Sequence, residues 1–255
     1  MADWIALTEE NGRWRALDVA ADGQVIDRRA GPSPRPLLSE GVEAVLAAPS
    51  VGLAPRPLPC TPLPETAWPR AEIGAASLPA LPGLIQTSDQ TEVQPAEAAR
   101  IAGVLAGVPQ FDGVIWICGA SALWAHISAG EVVSVMRAGS AAIQAAMGAP
   151  LEAGAEFEAA LADTLSRPER LARELAPLSI GKASARASGA VLGAELAAAR
   201  PWWLGQRVLA LSSPSAPGWS EICARALQAQ GAQVTLGDGE AALIAGLAKA
   251  RASGA

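Results

Sequence analysis

The chain has 255 residues, of which 51% are hydrophobic and 17% charged, and its formal net charge is −6. This composition is typical of a globular protein with a large core in one or two domains. An acidic chain without a basic field is poorly suited to nucleic acid or to an anionic membrane surface. No apolar run is long enough to predict a membrane span, and the N-terminus lacks the pattern of a secretory signal. We therefore expect a cytoplasmic protein.

The first half of the chain predicts a sheet, a proline-rich segment and a helix. Apolar and polar side chains alternate over residues 3–29, as they do in the strands of a β-meander. The spacing of apolar residues predicts a short helix over 37–47. Residues 49–82 are rich in proline, which forbids a long helix and confines strands to sheet edges, so we expect an extended, packed connection. A helix over 92–107 begins with Pro95 in its first turn.

The second half predicts more strands and several helices. Apolar runs separated by small-residue turns over 114–136 predict three strands. Alanine-rich segments predict helices over 140–147, 156–165, 168–175 and 183–200. The last segment, from Arg207 to Ala250, predicts two strands that alternate with two helices, and right-handed crossovers would make those strands parallel.

Together these elements predict an α/β protein. A chain that opens with antiparallel hairpins and ends with parallel β-α-β units is typical of the actin-like ATPase (ribonuclease H-like) two-lobe fold. We predict an N-terminal lobe over 1–113, which includes the proline-rich connection 49–82, and a C-terminal lobe over 114–255.

Several segments, spread in order over nearly the whole chain, resemble the 2-dehydro-3-deoxygalactonokinase family of sugar-acid kinases. The run from Ser188 to Glu195 is similar to the family's Ser-Gly-Leu-Leu-Ile-Gly-Ala-Glu helix and is the closest local match. The other matching segments are Trp4 to Arg29, Leu81 to Leu84, Cys118 to Val135 and the terminal run from Ala224 to Ala248. The resemblance implies phosphorylation of a 2-keto-3-deoxy sugar acid in galactonate catabolism, with ATP and Mg as cofactors. The oligomeric state stays open, with a homodimer as one alternative.

The resemblance also implies site residues. Gly119 and Ser121 lie in the segment similar to the family's second phosphate loop, and Arg15 is retained near the first. These three residues are the candidates for binding nucleotide phosphate. Where the family has two adjacent acids, this chain keeps one. The candidate catalytic carboxylates are Glu97, Glu9 and Glu10. The spacing of cysteine and histidine predicts no resident metal.

The chain departs from the family at the phosphate loops. In one register, Thr8 to Gly12 replaces the family's acidic residue and Gly-Thr-Thr loop; in another, Asp3-Trp4 matches and 5–7 replaces the loop. In the second loop Ala120 and Leu123 stand where the family has threonine and lysine, so a hydroxyl and a positive charge are lost. Three hypotheses stay open: an active sugar-acid kinase, an inactive member that acts as a binding or regulatory module, and an unrelated α/β protein.

Overall fold

The computed structural model describes residues 2–65 and 68–254. Its contacts divide the chain into two compact units. The first contains the residues up to Asp112, the segment Ile127–Ser134 and the chain from Gly239 onward. The second contains Gly113–His126 and Val135–Asp238. The lobes predicted at 1–113 and 114–255 stay a prediction.

The first unit opens with a four-stranded sheet in the order β3-β2-β1-β4. Its strands are β1 (Trp4–Glu10), β2 (Arg13–Val19), β3 (Val25–Gly31) and β4 (Glu43–Ala47). The first three form the predicted antiparallel meander, and β4 pairs parallel to β1. The helix predicted over 37–47 is wrong, since only Arg35–Leu37 forms a 3-10 turn. A five-residue apolar run does not distinguish strand from helix by spacing, and β1 offers it a free edge.

The proline-rich segment and the residues after it form short strands in the first unit. The strands are β5 (Arg56–Pro57), β6 (Arg70–Ile73), β7 (Ala76–Pro79), β8 (Leu84–Gln86) and β9 (Thr91–Val93). One sheet has the order β5-β8-β9, and β6 pairs with β7 in a separate hairpin. Proline has no N–H to donate to a ladder, so these pairings stay short.

A second, five-stranded sheet has the order β12-β11-β10-β13-β14. Its strands are β10 (Gly113–Cys118), β11 (Ala122–Ser128), β12 (Glu131–Ala138), β13 (Arg207–Ser212) and β14 (Gln233–Gly237). Strand β13 pairs parallel to both β10 and β14, which confirms the predicted parallel arrangement. The turn between β11 and β12 falls at Ala129-Gly130, where φ is 51° and 80°.

The helices agree closely with the periodic segments of the sequence. They are α1 (Pro95–Gly107), α2 (Ser140–Met147), α3 (Ala155–Ser166), α4 (Leu171–Leu175), α5 (Ala185–Ala198), α6 (Arg200–Trp203), α7 (Trp219–Ala229) and α8 (Gly239–Gly254). The segment predicted as a helix over 168–175 is a 3-10 turn followed by α4.

Glycines allow two helix pairs to approach very closely, one pair in each unit. A Cβ added at Gly103 of α1 would lie 1.8 Å from a carbonyl oxygen of α8, and one added at Gly246 of α8 would lie 1.8 Å from a carbonyl oxygen of α1. In the second unit, Gly189 and Gly193 of α5 would place a Cβ 2.1 and 2.4 Å from carbonyl oxygens of α3. The segment that most resembles the family is therefore a close-packing helix.

Candidate active site

Two loops of the second unit lie side by side, because β10 and β13 are adjacent parallel strands that end together. Cys118 at the end of β10 is paired with Ser212 at the end of β13. Ala120 donates its backbone N–H to Ser215 Oγ at 3.1 Å, and that oxygen lies 2.8 Å from Ser213 Oγ. Ligands of open α/β sheets bind outside the carboxyl ends of parallel strands. The candidate site of this unit is therefore at these two loops.

Gly119 has a packing role at this point. A Cβ added there would lie 3.1 Å from Ser215 Oγ and 3.4 Å from Ser213 Oγ, closer than most such contacts. The glycine lets the β10–β11 loop approach the serine loop. A larger residue would have to push the serine hydroxyls away and loosen the bond to Ala120.

A cation contacts the same loop from β12. Arg137 Nη1 donates to Ser121 Oγ at 3.3 Å and to the Ser121 carbonyl oxygen at 3.4 Å. Leu123, which stands where the family has lysine, is fully buried in β11 at 0% exposure. The position that carries the family's lysine therefore points into the core here, whereas Arg137 lies next to one of the predicted phosphate-binding residues.

The first hairpin of the other unit has no phosphate loop. Strands β1 and β2 are joined directly by Asn11 and Gly12, whose φ angles of 54° and 71° are those of a tight two-residue turn. Both registers that compare this hairpin with the family's loop stay open. Residues 5–7 lie inside β1 and pair with both neighbouring strands.

The two acids at the end of β1 are each held by a donor. Glu10 forms an ion pair with Arg100 of α1, a side chain that is only 2% exposed and that also donates to the Gly239 carbonyl oxygen at 3.3 Å. Glu9 Oε2 accepts the backbone N–H of Ser50 at 3.0 Å. The ion pair with Arg100 compensates the negative charge of Glu10, and the Ser50 amide orients the carboxylate of Glu9.

Arg15 and Glu97 also have partners in the first unit. Arg15 on β2 lies 3.3 Å from Glu240, which Arg28 contacts at 2.6 Å. Glu97 closes a capping box at the start of α1, where its Oε2 accepts the backbone N–H of Gln94 at 2.8 Å. The four predicted site residues thus divide into two sets. Gly119 and Ser121 share one loop of the second unit, whereas Arg15 and Glu97 belong to the first.

An acid that the sequence analysis did not single out lies in the core of the second unit. Glu195 of α5 is 3% exposed and accepts a hydrogen bond from Trp124 Nε1 at 2.9 Å. The Trp124 ring stacks on Trp116, with ring centroids 4.0 Å apart. Burial raises the pKa of Glu195, although hydrogen bonds from Ser140 and Trp124 favour its charged form. Its only sequence signal was its place at the end of the segment that resembles the family.

The part of the chain that the structure describes contains neither a metal-binding cluster nor a membrane-spanning helix. Across 2–65 and 68–254, no three His, Cys, Asp or Glu side chains are grouped so that they could hold a metal ion. Among the same residues, no helix combines the length and the apolar character that crossing a bilayer requires.

The meander, the parallel strands and the paired loops define the class: this is an α/β protein of the actin-like ATPase fold. Residues 44–250 match the model of the 2-keto-3-deoxy-galactonokinase family. The matched segment is well over half of the chain, and it does not include the hairpin of β1 and β2, so both registers of that hairpin stay open. The chain belongs to this family, as its sequence resemblance indicated. No curated protein matches it significantly in sequence.

Solved structures agree on the fold. A protein provisionally named 2-dehydro-3-deoxygalactonokinase, from Sinorhizobium meliloti, superposes with a TM-score of 0.78 at 18% identity, over 98% of each chain. An activator of 2-hydroxyisocaproyl-CoA dehydratase from Clostridium difficile, with bound ADPNP, superposes with a TM-score of 0.50 at 10% identity. The match covers 98% of this chain and 95% of that one. Component A of (R)-2-hydroxyglutaryl-CoA dehydratase from Acidaminococcus fermentans superposes with a TM-score of 0.50 at 9% identity, over 96% of each chain.

Proposed function

We propose that this protein is an ATP-dependent kinase of a 2-keto-3-deoxy sugar acid. The terminal hydroxyl oxygen of the acid would bond to the γ-phosphorus of MgATP while the bond to the bridging oxygen breaks and ADP leaves. The hydroxyl proton would pass to a carboxylate of the protein. The observation that carries this proposal is the match to the sugar-acid kinase family over residues 44–250.

Nucleotide phosphate is assigned to the loops at the ends of β10 and β13. Ala120 adds no bulky side chain to this loop, and the exposed Ser121 hydroxyl can donate a hydrogen bond to a phosphate oxygen. Arg15 is a weaker assignment, because its guanidinium already contacts Glu240. The tight turn at Asn11-Gly12 would contribute less than a full phosphate loop does.

Glu97 is the carboxylate we assign to proton acceptance. The helix cap fixes its orientation, because Glu97 Oε2 accepts the backbone N–H of Gln94. Glu10 is a poorer choice because its carboxylate already forms an ion pair with Arg100.

The expected location and partners of the protein follow from its composition and its family. A net charge of −6 disfavours nucleic acid and anionic membranes as partners, and we infer that the protein works in the cytoplasm on small molecules. Its expected partners are ATP and the sugar acid.

The test is ADP release by the purified protein with MgATP and 2-dehydro-3-deoxygalactonate. We expect release that requires both substrates. Glu97→Gln should lower kcat by roughly a hundredfold or more, as loss of a general base does. Because glutamine also closes a capping box, the thermal midpoint of this variant should stay unchanged. ATP binding without any ADP release would instead favour an inactive, nucleotide-binding member of the family.

A further inference from the structure

We propose that Glu195 is a positioning residue for nucleotide binding, whose buried carboxyl group holds the β10–β11 loop, residues 119–121, in the conformation that receives phosphate. This inference rests on the proposed function, since it assumes that nucleotide phosphate binds at this loop. Glu195 is only 3% exposed, so it acts through the residues that it contacts and not on the ligand itself.

The core around Glu195 does not need an acid for its stability. Leu192 and Leu196, its neighbours on α5, are fully buried in the same cluster as Trp116 and Trp124. Burial of a carboxyl group costs free energy unless hydrogen bonds compensate it, and an apolar side chain of similar volume is often at least as stable in its place. The raised pKa of Glu195 reflects that cost. The acid is therefore better explained by the groups that it holds in place.

One connection from Glu195 to the loop runs through two tryptophans. Trp124 Nε1 donates to Glu195 Oε1 at 2.9 Å, and Trp124 lies on β11, three residues after Ser121. The Trp124 ring stacks on Trp116 of β10, which comes three residues before Gly119. The carboxyl group thus ties α5 to a pair of stacked rings that lie just before and just after the loop.

A second connection runs through the start of α2. Ser140 is the first residue of that helix and is buried, and its hydroxyl bonds to the carboxyl group of Glu195 and lies 3.5 Å from the Val191 carbonyl oxygen on α5. Two residues later, the Ala142 N–H donates to the Ala120 carbonyl oxygen at 3.1 Å. The first turn of α2 therefore links α5 to the middle of the loop.

The loop is held at both polar groups of its middle residue. Ala120 donates its N–H to Ser215 Oγ at 3.1 Å and accepts the N–H of Ala142. Donors that are already fixed in place bind an anion without the cost of ordering them first. A shift of α2 or β11 would move Ala120 and the Ser121 hydroxyl beside it, and Glu195 contacts both of these elements.

The experiment compares Glu195→Leu with Glu174→Leu. Glu174 is a second buried acid of the same unit, and its partner Arg186 lies nine residues before Glu195 on α5, about 14 Å along the helix. Affinities for MgATP, ADP and AMP are measured by isothermal titration calorimetry. We expect Glu195→Leu to weaken MgATP binding by roughly tenfold or more, because several hydrogen bonds are lost. The loss should shrink from MgATP to AMP, whereas Glu174→Leu should leave all three affinities unchanged.

Two milder variants separate positioning from folding. Glu195→Gln should bind MgATP as the unaltered protein does, because an amide oxygen still accepts from Trp124. Ser140→Ala should weaken MgATP binding by roughly two- to tenfold and speed hydrogen exchange of the Ala142 amide. This variant decides the matter if Glu195→Leu does not fold.

The outcomes separate this inference from the proposed function. Equal MgATP affinities for the two leucine variants, or an unchanged affinity in Ser140→Ala, would make the inference wrong and leave the proposed function standing. If Glu195→Gln binds MgATP as weakly as Glu195→Leu, hydrogen bonds from this side chain do not hold the loop, and the inference is again wrong. If the unaltered protein binds no nucleotide, both are wrong.

Discussion

Replacement of Gly103 by alanine should separate α1 from α8 and destabilise the first unit. The added Cβ would lie 1.8 Å from the Ala242 carbonyl oxygen, about 1.6 Å short of the 3.4 Å at which ordinary contact begins. A second backbone atom, the Gly246 nitrogen, lies 2.9 Å from the same position. Both atoms belong to a helix backbone, so no flexible side chain can move aside. The two helices must part, and the apolar contacts between them are lost with that movement.

The size of the effect follows from two opposing terms. Overpacking of a close contact costs typically about 1–3 kcal/mol, and a backbone clash belongs at the upper end. Alanine in place of glycine inside a helix returns roughly 0.5–1 kcal/mol. We expect a net loss of about 2 kcal/mol, which corresponds to roughly 4–8 °C in thermal midpoint for a chain of this length.

Gly107→Ala is the matched control. It makes the same change on the same helix, at a position where nothing lies within 4 Å of the added Cβ. Thermal unfolding followed by circular dichroism should show Gly103→Ala well below the unaltered protein and Gly107→Ala equal to it or slightly above. Equal midpoints for the two variants would refute the close crossing of α1 and α8.

Three other substitutions test the site and its supports. Glu195→Gln should be more stable than the unaltered protein at neutral pH and lose that advantage near pH 4. The raised pKa of Glu195 makes folding stability fall as pH rises above the unfolded value of 4.5, whereas glutamine cannot ionise and still accepts from Trp124. Arg100→Met should cost about 3 kcal/mol in chemical denaturation, because it leaves Glu10 without its partner. Ser215→Ala should speed hydrogen exchange of the Ala120 amide roughly fivefold, as the loss of about 1 kcal/mol implies.

Each of these has an outcome that would contradict it. A stability difference between Glu195→Gln and the unaltered protein that is the same from pH 4 to pH 8 would mean that this carboxyl does not titrate on unfolding. If Arg100→Met combined with Glu10→Gln were no more stable than Arg100→Met alone, the unpaired acid would not be the cause of the loss. Unchanged exchange of the Ala120 amide would exclude the bond to Ser215 in solution.

Strong local patterns predicted most of the fold. The meander over 3–29, the helix over 92–107 and the alternating elements after Arg207 all carry a clear period of two or 3.6 residues, and each is present. The segment from Glu43 to Ala47 was predicted incorrectly because its conformation depends on a ladder with β1, about forty positions away. A short apolar run takes the structure that its neighbours impose on it.

The sequence by itself determined most of the elements and the fold class and indicated the family, because periodicity and local segments are properties of neighbouring residues. Only the tertiary structure decided which charges meet. Glu10 and Arg100 are 90 positions apart in the sequence, and Arg15 and Glu240 are 225 positions apart. The spacing of residues along the chain therefore predicts neither ion pair. The same holds for Arg137 beside Ser121, since two strands and their turns must form before the guanidinium reaches the loop. Electrostatic partners depend on distance in space, and distance is fixed only when the sheet and its helices have packed.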